Sequence, residues 1–442
     1  MGGNHMSEKP TRRAFLGTTA AATAATWVGG RAYAAGAESS PAATVNMALI
    51  GCGGRGRGVM REHMAVPGVR MVAVCDVDSR RAAVAQKEAG GDRVAVYGDL
   101  RKLLENRDVD AVIVGTNGHW HVLATIYACQ AGKDVYVEKP LGTSIGEGRA
   151  AVEAARKYDR IVQIGTQQRS WEHYQRAAEA IRSGKLGEIS EVKVWDYDYF
   201  YPGFGAPPDG DPPNQLDWDL WVGPSPAQPY NPNKIARHYW FFDFGGGWQL
   251  DWAVHHYDIV NWCMGVTEPI AATAMGGFLC FEQPCNTQWP DTFSGVCEYG
   301  PGPVAKKGFL MQYTFRGGCR REQRSHGKCF FGTEASMILD RSGYTIHAEA
   351  KNGKKLGDEI ESFRGKGPNH AEVFIQNVRN HTKPLADVEA GHHGTNPGHL
   401  MNIAWKVGRK IRWDAENERV LDDPEADALV TKQYRAPWKL EV

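Results

Sequence analysis

The chain has 442 residues, of which 42% are hydrophobic, so it is long enough to bury the cores of about two domains. Lysine plus arginine equals aspartate plus glutamate at 51 each, and this balance argues against nucleic acid or an anionic membrane surface as a partner. A small neutral ligand agrees better with the composition.

The N-terminal segment has the pattern of an export signal. Residues Thr11–Leu16 are TRRAFL, a twin-arginine motif, and a mildly apolar Ala/Thr-rich stretch follows. That stretch is too short and too weakly hydrophobic to remain in a membrane, and small residues at 32–37 offer A-x-A cleavage sites. We expect residues 1–37 to be a signal peptide and leader, and the protein to be periplasmic or otherwise exported, without membrane integration. The alternative is a disordered alanine-rich tail.

The nine cysteines are scattered and contain no C-x-x-C pair. Neither a zinc site nor a disulfide framework is indicated, so we expect free thiols.

Short apolar runs alternate with helical stretches from Val45 onward, which predicts βαβ units and a parallel sheet. We expect a dinucleotide-binding Rossmann domain over residues 44–167. The predicted strands are Val45–Ile50, Arg70–Cys75, Val94–Tyr97, Ala111–Val114, Val135–Val137 and Ile161–Ile164.

After residue 167 the alternation gives way to an aromatic, Pro/Gly-rich region and then to strand-like runs such as Phe309–Phe315 and Cys329–Phe331. This predicts a second, α+β domain over 168–442, within an α/β protein overall. Helical patterns at 368–381 and 398–411 are expected to pack beside the sheet.

A glycine-rich motif follows the first strand and begins a helix. Gly51, Gly53, Gly54 and Gly56 form a G-x-G-x-x-G pattern that also contains Arg55. Glycine is needed where the turn is tight and the backbone approaches a pyrophosphate at the helix N-terminus. Asp76 ends the next strand at the spacing of a ribose-binding carboxylate, which favours NAD over NADP, although Arg80 and Arg81 lie close by.

Two further positions predict chemistry. Lys139 follows the fifth strand, at the sheet edge where open α/β folds bind their ligands. Asp251 and His255 are spaced i and i+4 on a predicted helix, where the aspartate can hydrogen-bond and orient the histidine as a proton acceptor.

These motifs resemble those of the Gfo/Idh/MocA family of glucose-fructose oxidoreductase and inositol dehydrogenase. The resemblance runs from the glycine loop to the C-terminus and includes Thr116–His121, Glu138-Lys139-Pro140 and the D-x-x-x-H of Asp251 and His255. Other stretches resemble an exported branch: 165–170, 221–224 and 435–438.

The resemblance implies a C-terminal domain with a large, mainly antiparallel open sheet, and a homo-oligomer, either dimer or tetramer. It assigns catalysis to Lys139, Asp251 and His255. It also extends the predicted cofactor contacts to Thr116, Asn117, His119, His121, Glu138, Lys139 and Gln167.

The substrate site is expected among aromatic residues with interleaved carboxylates, which suit the apolar face and the hydroxyls of a sugar ring. The alternative for these aromatics is a packed loop. The aromatic set is Trp195, Tyr197, Tyr199, Tyr201, Tyr239, Trp240, Phe242 and Trp248, with Asp196 and Asp198 between them. Further substrate candidates are Lys139, Arg169, Asp251, His255 and His256, with His173, His392 and His393 as weaker ones; no metal-binding spacing is present.

The sequence therefore predicts a NAD(H)-dependent oxidoreductase that acts on a hydroxyl of a sugar, glycoside or polyol. Because export would separate it from the cytoplasmic NAD pool, its cofactor is expected to be tightly bound. Two alternatives stay open: a NAD-dependent glycoside hydrolase that oxidises a ring hydroxyl transiently, and a non-catalytic sugar-binding protein.

Overall fold

The protein is described by a computed structural model that covers residues 44–321, 324–350 and 353–442. The predicted twin-arginine segment lies outside these residues. Within them, no helix has both the length and the apolar character needed to cross a bilayer.

Residues 45–164 form a six-stranded parallel sheet in the order β3-β2-β1-β4-β5-β6, with helices on both faces. Each predicted strand is present within two residues of its expected bounds. The elements are β1 Val45–Ile50, α1 Gly54–Met64, β2 Val69–Cys75, α2 Ser79–Ala89, β3 Ala95–Tyr97, α3 Leu100–Leu104, β4 Ala111–Val114, α4 Gly118–Gln130, β5 Asp134–Val137, α5 Ile145–Lys157 and β6 Val162–Ile164. The strand order reverses between β1 and β4, and ligands of open α/β sheets bind at such a point.

The remaining part of the described chain is built on a ten-stranded sheet, ordered β14-β13-β12-β11-β7-β10-β9-β8-β15-β16. Only β7 and β10 are paired in parallel, so the sheet is mainly antiparallel, as expected. The strands are β7 Ile189–Tyr197, β8 Ala271–Gly277, β9 Thr292–Tyr299, β10 Phe309–Arg316, β11 His326–Gly332, β12 Ala335–Asp340, β13 Gly343–Ala348, β14 Glu359–Phe363, β15 Ile411–Asp414 and β16 Arg419–Leu421. The helices are α6 Glu172–Arg182, α7 Trp218–Val222, α8 Pro232–Ala236, α9 Trp248–Asp251, α10 Val254–Met264, α11 His370–Asn380, α12 Val388–Val407 and α13 Pro424–Asp427.

One helix prediction needs correction. The pattern at 398–411 placed a helix after Pro397, but α12 begins ten residues earlier and continues through this proline, ending at Val407. A proline leaves the carbonyl four residues before it without its helical partner. That carbonyl, of His393, accepts a hydrogen bond from the side-chain amide of Asn261 at 3.0 Å. The helix therefore tolerates Pro397 because a neighbouring helix supplies the missing donor.

Helices α11 and α12, which follow most of the ten-stranded sheet in sequence, contact the elements of the parallel sheet. Phe374 of α11 packs with the hydrophobic residues on one face of the parallel sheet, whereas α12 packs against α5, α10 and β8. The described residues, which begin at 44, form one compact unit, so the domain boundary at residue 167 stays a prediction.

Candidate active site

The glycine loop is shaped by close backbone contacts. Gly51 has φ +91°, and a Cβ there would lie 2.6 Å from the backbone nitrogen of Thr116. A Cβ on Gly56 would lie 2.0 Å from the Gly51 carbonyl oxygen. Both positions therefore exclude any side chain, because strand β1, helix α1 and the end of β4 meet here.

The other end of the loop has room for an anion. The N-cap of α1 is Gly53, which offers no side-chain hydrogen bond to the helix, and a Cβ on Gly54 would meet nothing within 4 Å. The first N–H groups of this eleven-residue helix thus lie beside open space, the arrangement that binds a pyrophosphate. The residues present are compatible with a dinucleotide.

Asp76 lies in an adjoining cavity with Gly51, Gly53 and Arg81. Its Oδ2 accepts a hydrogen bond from the Cys52 backbone N–H at 2.6 Å, and burial raises its pKa. A carboxylate oxygen can accept more than one bond, so Asp76 retains capacity for ribose hydroxyls. Arg80 is paired with Asp78 at 2.7 Å, which leaves Arg81 as the arginine facing this cavity.

Three tryptophans complete the same cavity and were not predicted as site residues: Trp120, Trp221 and Trp438. The Trp120 and Trp438 rings meet edge to face with centroids 5.0 Å apart, and the Arg101 guanidinium lies 4.9 Å from the Trp438 centroid. Trp221 and Trp438 occur in two of the stretches that suggested the exported branch. A short sequence motif does not show where in the fold its residues lie, so their place in this cavity could not be predicted.

A second cavity of about 870 Å³ continues from Gly115 and Thr116 toward the ten-stranded sheet. It brings together nine predicted site residues: Arg55, Thr116, His121, Glu138, Lys139, Gln167, Trp248, Asp251 and His255. Asn117 instead lines the first cavity, and His119 is buried with its Nε2 2.9 Å from the carbonyl oxygen of Trp221. His119 therefore has a packing environment rather than a cofactor-facing one.

Lys139 lies at the centre of the second cavity, directly after β5. Its Nζ donates a hydrogen bond to the backbone carbonyl of Asp251. Burial lowers the pKa of Lys139, while the neighbouring carboxylates of Glu138 and Asp251 oppose this shift. The amino group of Lys139 therefore lies in the cavity and loses its proton more readily than the amino group of an exposed lysine.

The expected hydrogen bond between Asp251 and His255 does not form. Helix α9 ends at Asp251 and α10 begins only at Val254, so the two residues do not share one regular helix. The Asp251 carboxylate accepts a hydrogen bond from the Gly246 N–H at 3.0 Å, and the buried Nδ1 of His255 has no partner among the described residues. Asp251 therefore acts on the site through Lys139 rather than by orienting the imidazole.

The protonation of these groups is set mainly by burial. Burial, reinforced by the charge of Lys139, lowers the pKa of His255 well below its ordinary value. Burial raises the pKa of Asp251 to about 6 although Lys139 opposes the shift. At neutral pH His255 is an uncharged imidazole that is able to accept a proton.

Three predicted substrate residues lie elsewhere. The Arg169 guanidinium forms a buried ion pair with Asp258 at 2.8 Å. His256 Nε2 lies 3.0 Å from the buried carboxylate of Asp196, and the ring nitrogens of His173 lie 2.6 and 3.1 Å from backbone carbonyl oxygens, to one of which a neutral imidazole donates. Buried polar side chains need such partners, and here the partners lie away from the cavity.

His392 and His393 are also remote from the cavity. His392 Nε2 lies 2.6 Å from Glu418, and His393 Nδ1 lies 2.7 Å from Glu268. The ligand atoms of Glu268, His392 and His393 are within 4.8 Å of one another, a grouping that sequence spacing did not suggest. His392 Nε2, His393 Nδ1 and Glu268 Oε1 each have a hydrogen-bond partner in the chain, whereas the buried Nδ1 of His392 has none among the described residues.

The aromatic prediction holds only in part. Of the predicted aromatics, Tyr239 and Trp248 line the second cavity. The others are distributed as follows: Trp195, Tyr197 and Trp240 are buried in hydrophobic clusters, Phe242 lines a separate cavity, and Tyr199 and Tyr201 are exposed. The residues that line the cavity without having been predicted include Trp252 and Arg341.

Comparison with known proteins agrees with this architecture. The Gfo/Idh/MocA family model for an NAD-binding Rossmann fold matches residues 45–166, and the model for the family's C-terminal alpha/beta domain matches residues 179–273 and 311–440. A glycosyl hydrolase family 109 protein of Saccharopolyspora erythraea is 36% identical over 180 residues, covering 36% of this chain and 39% of the relative. The scyllo-inositol 2-dehydrogenase (NAD(+)) of Bacillus subtilis is 28% identical over 201 residues, covering 46% of this chain and 48% of the relative.

The chain thus spans less than half the length of these curated relatives. Among solved structures, a levoglucosan dehydrogenase in complex with NADH and levoglucosan has a TM-score of 0.63 at 16% identity, covering 84% of this chain and 99% of the other. The WlbA dehydrogenase of Bordetella pertussis, in complex with NADH and UDP-GlcNAcA, has a TM-score of 0.61 with the same identity and coverage. The chain belongs to the Gfo/Idh/MocA oxidoreductase family, with an NAD-binding Rossmann domain and that family's C-terminal α/β domain.

Proposed function

We propose that this protein is a NAD(H)-dependent oxidoreductase that acts on a hydroxyl of a sugar, glycoside or polyol. The observation that carries the proposal is that Lys139 and His255 line the same cavity. This second cavity shares Gly115 and Thr116 with the cavity beside the glycine loop. Aromatic side chains, including Tyr239, Trp248 and Trp252, offer faces for the apolar side of a sugar ring.

The residues divide the chemistry between them. The N-terminus of α1 and Asp76 would hold the dinucleotide, which when bound supplies the hydride acceptor for the carbon being oxidised. His255, uncharged at neutral pH, accepts the hydroxyl proton at its cavity-facing ring nitrogen. Lys139 donates a hydrogen bond to the same oxygen and stabilises the negative charge that develops there. Asp251 positions Lys139 through its backbone carbonyl.

We also propose that the protein is exported through the twin-arginine route, on the evidence of residues 11–16. This route carries proteins that have already folded, so the cofactor would be acquired in the cytoplasm. Tight retention of NAD(H) follows, because the exported protein would meet no comparable NAD pool.

A second function is favoured by one observation. The Saccharopolyspora erythraea relative described as a glycosyl hydrolase family 109 protein is 36% identical over its matched region. Such a hydrolase would oxidise a ring hydroxyl, eliminate the aglycone, add water to the resulting double bond and then return the hydride, with Lys139 and His255 again handling the protons. It would release aglycone without net formation of NADH.

One experiment tests the two proposed functions together. The purified protein is denatured and any released nucleotide identified, and the native protein is then screened against sugars, polyols and aryl glycosides for NADH absorbance and for products. NAD(H) release together with sugar-dependent reduction supports the oxidoreductase, whereas aglycone release without NADH supports the hydrolase. Sugar binding without any turnover would overturn both in favour of a non-catalytic binding protein.

A further inference from the structure

The second cavity contains more positive charge than its own carboxylates balance. Arg55 pairs with Glu138 at 2.8 Å and with Glu62 at 3.4 Å, and Lys139 lies beside Asp251. The cavity is lined by three carboxylates: Glu62 and Glu138, which Arg55 engages, and Asp251, whose carboxylate accepts a hydrogen bond from the Gly246 N–H while its backbone carbonyl accepts the one from Lys139. Two of the lining cations, Arg341 and Lys366, have no carboxylate partner among the described residues. Of the two, only the guanidinium of Arg341 can form planar, two-point hydrogen bonds.

Arg341 follows β12 and has no carboxylate partner among the residues that the structure describes. The adjacent carboxylate, Asp340, is already engaged by Arg324 at 2.7 Å. The second unpaired cation is Lys366, on the segment before α11. A cation of this kind is stable while water reaches it, but a ligand that covers it must replace the water.

The guanidinium of Arg341 is also held in place. It lies 4.8 Å from the centroid of the Trp252 ring, and Trp252 is stacked on Trp248 with an interplanar angle of 10°. Cation–π attraction holds a guanidinium over an aromatic face, and the N–H groups of a guanidinium can form planar, two-point bonds to a carboxylate. The Nζ of Lys139 lies 6.0 Å from the same Trp252 ring. A ligand that contacts Lys139 is therefore within reach of Arg341.

From this arrangement we propose that Arg341 binds a carboxylate on the substrate, so that the cavity selects sugar acids or glycosiduronates over neutral sugars. The inference rests on the proposed sugar substrate and specifies its class. A neutral sugar placed over Arg341 would strip water from an uncompensated charge, whereas a carboxylate replaces that water with charge-assisted hydrogen bonds. The cofactor pyrophosphate is not the natural partner of Arg341, since the N-terminus of α1 provides that site.

The test measures binding, so that it does not depend on turnover. Tryptophan fluorescence or calorimetry on the NAD-loaded protein compares D-glucuronate, D-galacturonate and methyl β-D-glucuronide with D-glucose, D-galactose and methyl β-D-glucoside. At least one acid is expected to bind about tenfold or more tightly than its neutral counterpart. Arg341→Gln should remove that preference, and Arg341→Lys should keep part of it, because lysine retains the charge but not the two-point geometry.

The matched control is Arg412→Gln, since Arg412 is exposed and pairs with Asp422 outside the cavity. It should leave the preference unchanged. The proposal is overturned if acids and neutral sugars bind alike, if none of the six binds, or if Arg341→Gln weakens NAD(H) binding and all sugars equally. Arg341-dependent binding of an acid with no turnover of any sugar would sustain this inference while overturning the proposed function.

Discussion

The two ends of the active-site region are built in different ways. At the cofactor end, the important atoms belong to the backbone: the positive φ of Gly51, the contact of Gly56 with Gly51 and the uncapped start of α1. At the substrate end they belong to side chains of Lys139, His255 and Arg341, which are far apart in sequence. The cofactor end depends on the absence of side chains at its glycines. The substrate end depends on which side chains the fold brings together.

The largest expected effect is a loss of turnover without a loss of bound cofactor when side chains at the substrate end are removed. His255→Ala and Lys139→Ala should each reduce turnover by about 10²- to 10⁴-fold, the usual contribution of a positioned acid or base. Both variants should retain NAD(H), because the glycine loop is untouched. Turnover is measured with the sugar identified in the screen, and bound nucleotide is measured after denaturation. Near-normal turnover in His255→Ala would remove this residue from the mechanism.

The next effect tests the cofactor end with two glycines of the same helix. Gly56→Ala places a Cβ 2.0 Å from the Gly51 carbonyl and should cost on the order of 3 kcal/mol in unfolding free energy, with loss of bound NAD(H). Gly58→Ala is the control, because the nearest atom to its Cβ is the Arg61 side chain at 4.0 Å. It should stabilise the protein by up to about 1 kcal/mol. Equal behaviour of the two variants in denaturant unfolding would refute the packing argument.

A smaller effect distinguishes the adjacent histidines of α10. His256→Ala should destabilise the fold by about 1–3 kcal/mol, because it removes the partner of the buried Asp196 Oδ1 and leaves that carboxylate with the longer bond from the Tyr313 hydroxyl. Its effect on kcat should be much weaker than that of His255→Ala. If His256→Ala abolishes turnover in a fully folded protein, His256 is the base and the assignment to His255 is wrong.

The smallest effect concerns the polar cluster away from the cavity. Burial opposes ionisation of Glu418, but hydrogen bonds with His392 and Arg149 outweigh it and lower its pKa from 4.5 to about 2. Its contribution is therefore complete above pH 4.5 and is lost as the pH falls toward 2. Because the group is partly exposed, Glu418→Gln should cost only about 1 kcal/mol at neutral pH. Unfolding measured across this range should show the difference shrinking with acid, while exposed Glu416→Gln should have no effect.

Sequence predicted the cofactor end better because its constraints are local. Gly51–Gly56 and the alternation of β1 to β6 are encoded by neighbouring residues. At the substrate end, the i, i+4 spacing of Asp251 and His255 failed because the helix breaks between them. Arg169 and His256 do not line the cavity, because their partners, Asp258 and Asp196, are brought to them only by tertiary packing. Arg341 belongs to no motif, and only the ten-stranded sheet brings it to the cavity.

Trp438 has a consequence for biosynthesis. It closes the cavity that contains Asp76, yet it leaves the ribosome some 270 residues after the parallel sheet is complete. The nascent Rossmann domain therefore lacks one wall of its nucleotide cavity while the rest of the chain is being made. Durable enclosure of the nucleotide becomes possible only once the C-terminal segment has folded back across Trp120. If the protein is exported in folded form, the interval between the end of translation and translocation is the time in which the nucleotide becomes enclosed.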